Sequence, residues 1–281
     1  MLTAFSVKLL PKPTGIRGIA NRLRRDKVEI RIVRARGVTL KHITYISSSG
    51  EVRLEKTDAA VGEQRDQLLC SDKLIFPHRS GYKRFCSQRF SVRLCTNMAL
   101  SVLMRCQNSA ALRVGIYDPT GENADFLLSA LLYSSDVVAV TCCADAYRDV
   151  AAQALEELGA SALITSRKDE LARCHLIIAP DTVREPLPIY SDSIVLTTSC
   201  PETDLQGRVY YRYGFRMPNG FDSIKPDELD EEYFCSALYT LGSQYELGSI
   251  VPLSAKGRGE KCTVKSLADC LDNQIEKAYN N

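Results

Sequence analysis

The chain has 281 residues, 45% of them hydrophobic and 25% charged, and a formal net charge of +2. That is the balance of a globular protein with room for one large domain or two ordinary ones. The opening stretch MLTAFSVKLLPKPTG holds an apolar run too short for a membrane span and no small-residue cleavage site, so no signal peptide or membrane helix is read and a cytoplasmic protein is expected.

The small net charge hides an asymmetry. Residues 1–105 carry 21 Lys and Arg against 8 Asp and Glu, and the remainder carries 15 against 26. The two parts therefore have opposite sign. The polar stretch CQNSA at 106–110 reads as a linker, giving a basic α+β domain over 1–110 and a second domain over 111–281. The eleven cysteines have no framework spacing, and Cys95, Cys106, Cys142 and Cys235 fall in apolar runs, as buried reduced thiols do.

KVEIRIVRA at 27–35 alternates, with Val28, Ile30 and Ile32 on one face and Glu29 and Arg31 on the other, which predicts a half-buried strand. TLKHITYIS and EVRLEK, separated by SSSG, read as a hairpin in a small antiparallel sheet. SVRLCTNMALSVLMRC repeats apolar residues at Leu94, Met98, Val102 and Leu103 and predicts a helix over 91–106.

From 113 the pattern alternates strand and helix: a strand at 113–117, a helix at 122–134, and VVAVT at 137–141. A helix capped by Asp145 follows, with Val150, Ala154, Leu155 and Leu158 on one face and Gly159 as its left-handed end. ALIT, the short helix RKDELARC, HLIIA, SIVLTT and RVYYRY come next. The strand runs are continuous and apolar, as in parallel strands covered on both faces, and they predict a doubly wound α/β sheet. A helix from Pro226 to Leu241 and a terminal helix with Ser266 and Asp269 as a capping box complete the reading.

The segment order over 113–199 resembles the Rossmann-type domain of the shikimate dehydrogenase-like and glutamyl-tRNA reductase-like families. The likeness is carried by the strand-loop-helix start, by ALEELGASALIT, and by DELARCHLIIAPD. It covers about a third of the chain, lies in segment order, and implies a Rossmann-like fold. The first 105 residues carry no such likeness.

The loop after the first of these strands reads DPTGEN, not G-x-G-x-x-G. Asp118, Thr120 and Asn123 stand at the glycine positions, and Gly121 falls between two of them. Glycines there permit the turn, the approach of the pyrophosphate and the packing of helix on strand. Asp118, Glu122 and Asp125 set three carboxylates around a helix start that would otherwise attract phosphate. Thr141, Cys142 and Cys143 replace the ribose-binding acid. The loop thus disfavours NAD or NADP as cofactor. DPTG is also similar to the Asp-x-Thr-Gly turn of aspartyl-phosphate enzymes, but the second acid and a lysine partner are absent. The plainer reading has Asp118 and Pro119 making the turn and Thr120 capping the helix.

Cys70, His78, Cys86 and Cys95 are too widely spaced for a usual zinc site, and no metal is assigned. His42, His78 and His175 are scattered, with His175 read as structural. In HRSGYKRFCSQRFSVR, Arg79, Lys83, Arg84 and Arg89 (with Arg93) interleave with Tyr82, Phe85 and Phe90. Joined by Arg22, Arg24, Arg25 and Lys27, they offer a polyanion site. The alternative places the aromatics in a core and pairs the basic half with acidic residues of this chain or a partner subunit. A parallel sheet would bring Asp118, Thr141, Thr165, Asp181, Thr197 and Thr198 to one edge, with Thr120 and Gly121 in the first loop, Ser199 and Cys200 beside them, and Arg212 and Arg216 on a loop beyond.

The leading expectation is a Rossmann-like protein with a degenerate dinucleotide loop that binds a small anionic ligand or a macromolecular partner. One alternative is an NAD(P)-dependent oxidoreductase with an atypical loop. Another is nucleic-acid binding through the basic half. A homo-oligomer or protein partner is open, and a membrane is not expected.

Overall fold

The computed structural model describes residues 1–10, 26–48 and 50–279. They form two compact units, one of 1–90 with 217–247 and the other of 91–216 with 248–281. The chain therefore passes between units three times, where the charge pattern suggested one boundary near 106–112.

The first unit is built on three strands, β1 (Leu2–Leu9), β2 (Lys27–Ala35) and β3 (Val38–Ser47), in the order β1-β3-β2. β1 runs parallel to β3 and β2 antiparallel to it. Arg36 (φ 48) and Gly37 (φ 76) join β2 to β3 in a two-residue turn of the kind that needs positive φ at both positions. The hairpin partner of TLKHITYIS is thus the strand before it. EVRLEK forms no strand and contains only the 3-10 turn Leu54–Lys56.

One sheet face carries Phe5, Ile43 and Tyr45, which pack with Val61, Leu68 and Tyr82. Ile30 and Ile32 lie on the same face by alternation but remain 52% and 59% exposed, so β2 is less buried than its pattern predicts. The helix of 217–247 begins at Glu231, not Pro226. Asp230 caps it by accepting from the Glu232 and Tyr233 N–H groups, and it ends at Thr240. This acidic segment meets the basic one within the unit, through His42–Glu228 at 3.2 Å and Arg36–Glu246 at 3.5 Å.

Helix α1 (Arg89–Arg105), which its apolar repeat predicts, starts at the end of the first unit and runs into the second; Leu94, Met98, Val102 and Leu103 are fully buried. Six parallel strands follow: β4 (Arg113–Tyr117), β5 (Asp136–Val140), β6 (Ala162–Thr165), β7 (Leu176–Ala179), β8 (Ile194–Thr197) and β9 (Arg208–Gly214). Counted from β4, their order across the sheet is 3-2-1-4-5-6. That is the doubly wound Rossmann arrangement, with its switch point between β4 and β7. Two short antiparallel strands, β10 (Ser254–Gly257) and β11 (Lys261–Thr263), extend the sheet beyond β9; the sequence pattern did not foresee them.

The helices differ from expectation in detail. α2 is only Phe126–Leu131. α3 (Ala144–Leu158) ends at Gly159 as read, but Leu155 and Leu158 face outward while Ala154 is buried. α4 is the Glu231–Thr240 helix of the first unit, and α5 spans Val264–Tyr279. The α5 cap is Thr263, whose Oγ1 accepts the Ser266 N–H at 3.2 Å while the Ser266 hydroxyl accepts the Thr263 N–H at 2.8 Å. Ser266 therefore sits three residues inside the box. No described helix is long and apolar enough to cross a membrane.

Candidate functional site

Because β4 to β8 are parallel, their carboxyl ends share one edge. Asp118 follows β4, Thr141 follows β5, Thr165 and Thr197 end β6 and β8, Thr198 comes next, and Asp181 lies two residues past β7. Thr120 and Gly121 sit in the first loop, so the topology gathers all eight at the edge where open α/β sheets bind ligands.

Asp118 is completely buried, and four donors converge on its carboxylate. The Thr120 hydroxyl lies 3.0 Å and the Gly121 N–H 3.1 Å from Oδ1; the Asn123 N–H lies 2.8 Å and the Tyr147 hydroxyl 3.0 Å from Oδ2. Burial and this carboxylate hold the Tyr147 phenol above its ordinary value, so it stays a donor. The backbone N–H groups that would face a phosphate therefore already bind an anion built into the chain. Thr120 serves Asp118 and does not cap α2, and the buried, saturated Asp118 cannot act as a phosphoryl acceptor. Gly121 has φ 72, and a Cβ there would lie 2.8 Å from Cys143 Cβ. The glycine gives room to the start of α3, leaving none for a cofactor at that point. These residues do not fit a pyrophosphate.

The other hydroxyls also serve their own loops. Thr141 Oγ1 accepts the Cys143 N–H at 3.0 Å, and Thr165 Oγ1 accepts the Arg167 N–H at 3.1 Å. Thr197 donates to the Asp181 carbonyl at 3.0 Å, and the Asp181 carboxylate accepts the Thr182 N–H at 2.6 Å. Thr198 Oγ1 is buried without a partner among the described residues. Arg212 lies on β9 opposite Lys256, not on a loop.

The basic stretch does not present its aromatics. Tyr82, Phe85 and Phe90 are buried. Arg84 donates to the Cys70 carbonyl at 3.0 Å and stacks 3.9 Å from the Tyr233 ring centre. Arg79, Lys83 and Arg89 are exposed; Arg22, Arg24 and Arg25 lie outside the described residues. No three His, Cys, Asp or Glu side chains among the described residues are grouped to hold a metal. Cys95, Cys106 and Cys235 are buried, and burial pushes each thiol up to about 12; Cys142, by contrast, is exposed.

A polar cluster that no sequence motif marks lies in the first unit. A cavity of about 770 Å³ is floored by Ser6, Lys8, His42 and Thr44 with Glu29 and Arg31 of β2 beside them, and is walled by 222–228, an acidic segment. Ser6 Oγ is 2.9 Å from His42 Nε2 and 3.2 Å from Thr44 Oγ1; Glu228 Oε1 is 3.2 Å from the same His42 nitrogen. Hydroxyl and carboxylate share one imidazole nitrogen, so this is no serine–histidine–acid relay, which uses both. Its only sequence signal is the pairing of polar residues two apart on β1 and β3, and that requires knowing the strands are parallel. A second cavity, of about 600 Å³, lies at the amino edge of the large sheet beside His175, Arg208 and Lys277. There His175 Nδ1 accepts the Arg113 N–H at 3.0 Å, the structural role expected of it.

No family model matches the chain, and no curated protein matches it. Among solved structures, it is similar to the iminosuccinate reductase of Paracoccus denitrificans in complex with NAD+, at 14% identity and a TM-score of 0.30 over 47% of this chain and 44% of that one. It is similar to the Thermococcus litoralis Δ1-pyrroline-2-carboxylate reductase in complex with NADH and L-proline, at 13% identity and 0.30 over 62% and 58%. It is similar to the L-tryptophan dehydrogenase of Nostoc punctiforme, at 9% identity and 0.32 over 100% and 89%. The chain spans about half the length of the first two. These neighbours are dehydrogenases and reductases by name.

Proposed function

We propose that the chain is a Rossmann-like binding protein that takes a small anionic ligand and runs no nicotinamide-dependent reaction. The observation that carries this reading is the buried Asp118 carboxylate, which occupies the Gly121 and Asn123 N–H groups at the cofactor end of β4. In this reading the edge hydroxyls other than Thr198 serve their loops, and the ligand sits in the first-unit cavity, where Lys8, Arg31 and the Ser6 and Thr44 hydroxyls would bind an anionic group while Asp227 and Glu228, also in the lining, restrict where it sits. Eleven free thiols suit the cytoplasm.

The second reading, an NAD(P)-dependent oxidoreductase with an atypical loop, is favoured by the 3-2-1-4-5-6 strand order. A thermal-shift panel separates the two. It includes NAD, NADH, NADP, NADPH, di- and tricarboxylates, sugar phosphates and a short RNA at low salt. A ligand at about 100 times its Kd adds roughly 2.7 kcal/mol, which moves the midpoint by degrees. A shift with a carboxylate or sugar phosphate that Lys8→Ala removes is the expected result. A shift with a nicotinamide cofactor overturns the reading and brings the oxidoreductase forward. A shift with RNA that fades steeply with salt would favour the nucleic-acid alternative.

A further inference from the structure

Among the described residues, the two edges of the small sheet are treated differently. The outer edge of β1 is covered: the Phe5 N–H donates to the Leu69 carbonyl at 2.8 Å and the Leu69 N–H to the Thr3 carbonyl at 2.9 Å. Among the described residues no strand pairs with the outer edge of β2, although it runs for nine residues. A long open edge is a template for another strand.

Three features of β2 fit the same occupant. The first is hydrogen-bond direction. Ala35 and Val38 close the two-residue turn and so form a hydrogen-bonded pair. Alternation along an antiparallel ladder then turns the N–H and C=O groups of Val28, Ile30, Ile32 and Arg34 outward. The second is charge. Pairing β2 with a second β2 about a twofold axis at Ile30 sets Glu29 opposite Arg31 on both sides of the axis, whereas an axis at Arg31 would set Arg31 against itself. The third is apolar surface. The Ile30 axis sets Ile30 against Ile30 and Val28 against Ile32, covering two large side chains that are more than half exposed in the single chain. A second copy of β2 satisfies all three at once.

We propose that two copies of this chain join through β2, antiparallel and centred on Ile30, making one continuous six-stranded sheet. The interface is isologous, so each Glu29–Arg31 pair occurs twice. The Lys27–Glu29 pair within one strand, at 2.6 Å, competes for Glu29, whereas among the described residues Arg31 shares a cavity with Asp227 and Glu228 but makes no ion pair.

Sedimentation velocity on the full chain tests this, with circular dichroism reporting that each variant folds. The wild type is expected to be a dimer. Glu29→Arg alone and Arg31→Glu alone are each expected to raise the dimer dissociation constant about tenfold or more, by placing like charges opposite. The double variant Glu29→Arg/Arg31→Glu restores the opposite-charge pairs and is expected to restore the dimer. Ile30→Lys, at an exposed position on the axis, is expected to give folded monomers. A monomeric wild type overturns the proposal. So does a dimer that survives Ile30→Lys, or a double variant that stays monomeric.

Discussion

Asp118 and Asp26 show how one buried carboxylate can fix a whole loop. Asp118 gathers donors from its own turn and from Tyr147 on α3. Asp118→Ala leaves these groups buried and unpaired, and a loss of about 3 kcal/mol in urea unfolding is expected. Asp26 has a similar set in the first unit: Tyr45 at 2.8 Å, the Ser48 N–H at 3.0 Å, and Lys56 at 2.8 Å. The hydrogen bond from the Lys56 ammonium, followed by the Ser48 N–H, holds its carboxyl well below the ordinary 3.8. The unfolded chain takes up a proton near that ordinary value while the folded chain does not. The stabilisation from Asp26 is therefore present above about pH 4 and lost as pH falls below it. Unfolding free energies of the wild type and Asp26→Asn are expected to differ most at pH 6 and to converge toward pH 2.

Among the elements, α4 depends on a single cap. Asp230→Ala removes the acceptor for the Glu232 and Tyr233 N–H groups, and a loss of about 1 kcal/mol is expected in thermal or urea unfolding. The sequence does not single out Asp230, because Pro226, Asp227 and Glu228 form an equally good start signal four residues earlier; the buried Phe234, Cys235 and Leu238 decide the frame. The large sheet was legible because β4, β5, β7 and β8 are continuous apolar runs that only a doubly covered parallel strand requires. β10 and β11, reading SAKG and KCT, carry no apolar signal and exist because β9 offers an edge. The exposure of Ile30 and Ile32 was illegible because alternation tells which residues share a face, not what covers that face. At the candidate site, the gathering of Asp118 and the threonines at one edge could be read from strand order. The direction in which their hydrogen bonds run could not, since Tyr147 reaches Asp118 from 29 residues away.

At the scale of the whole molecule, the two units do not follow the two halves of the chain. Helix α1 belongs with the large sheet and contributes Leu94, Met98, Ala99, Val102 and Leu103 to its buried residues. A fragment of residues 111–281 lacks that helix and carries 217–247 without its unit. It is expected to show no cooperative melting by circular dichroism, whereas the full chain melts cooperatively. The charge asymmetry is resolved in the same way, because acidic 217–247 completes the basic unit. Synthesis on the ribosome feels this arrangement directly. The strands of residues 2–47 leave the exit tunnel early, yet the segment that finishes their unit follows only after most of the large sheet has been made. At about 5–20 residues per second, the small basic sheet waits on the order of ten seconds, a window in which a nascent-chain chaperone would find it open.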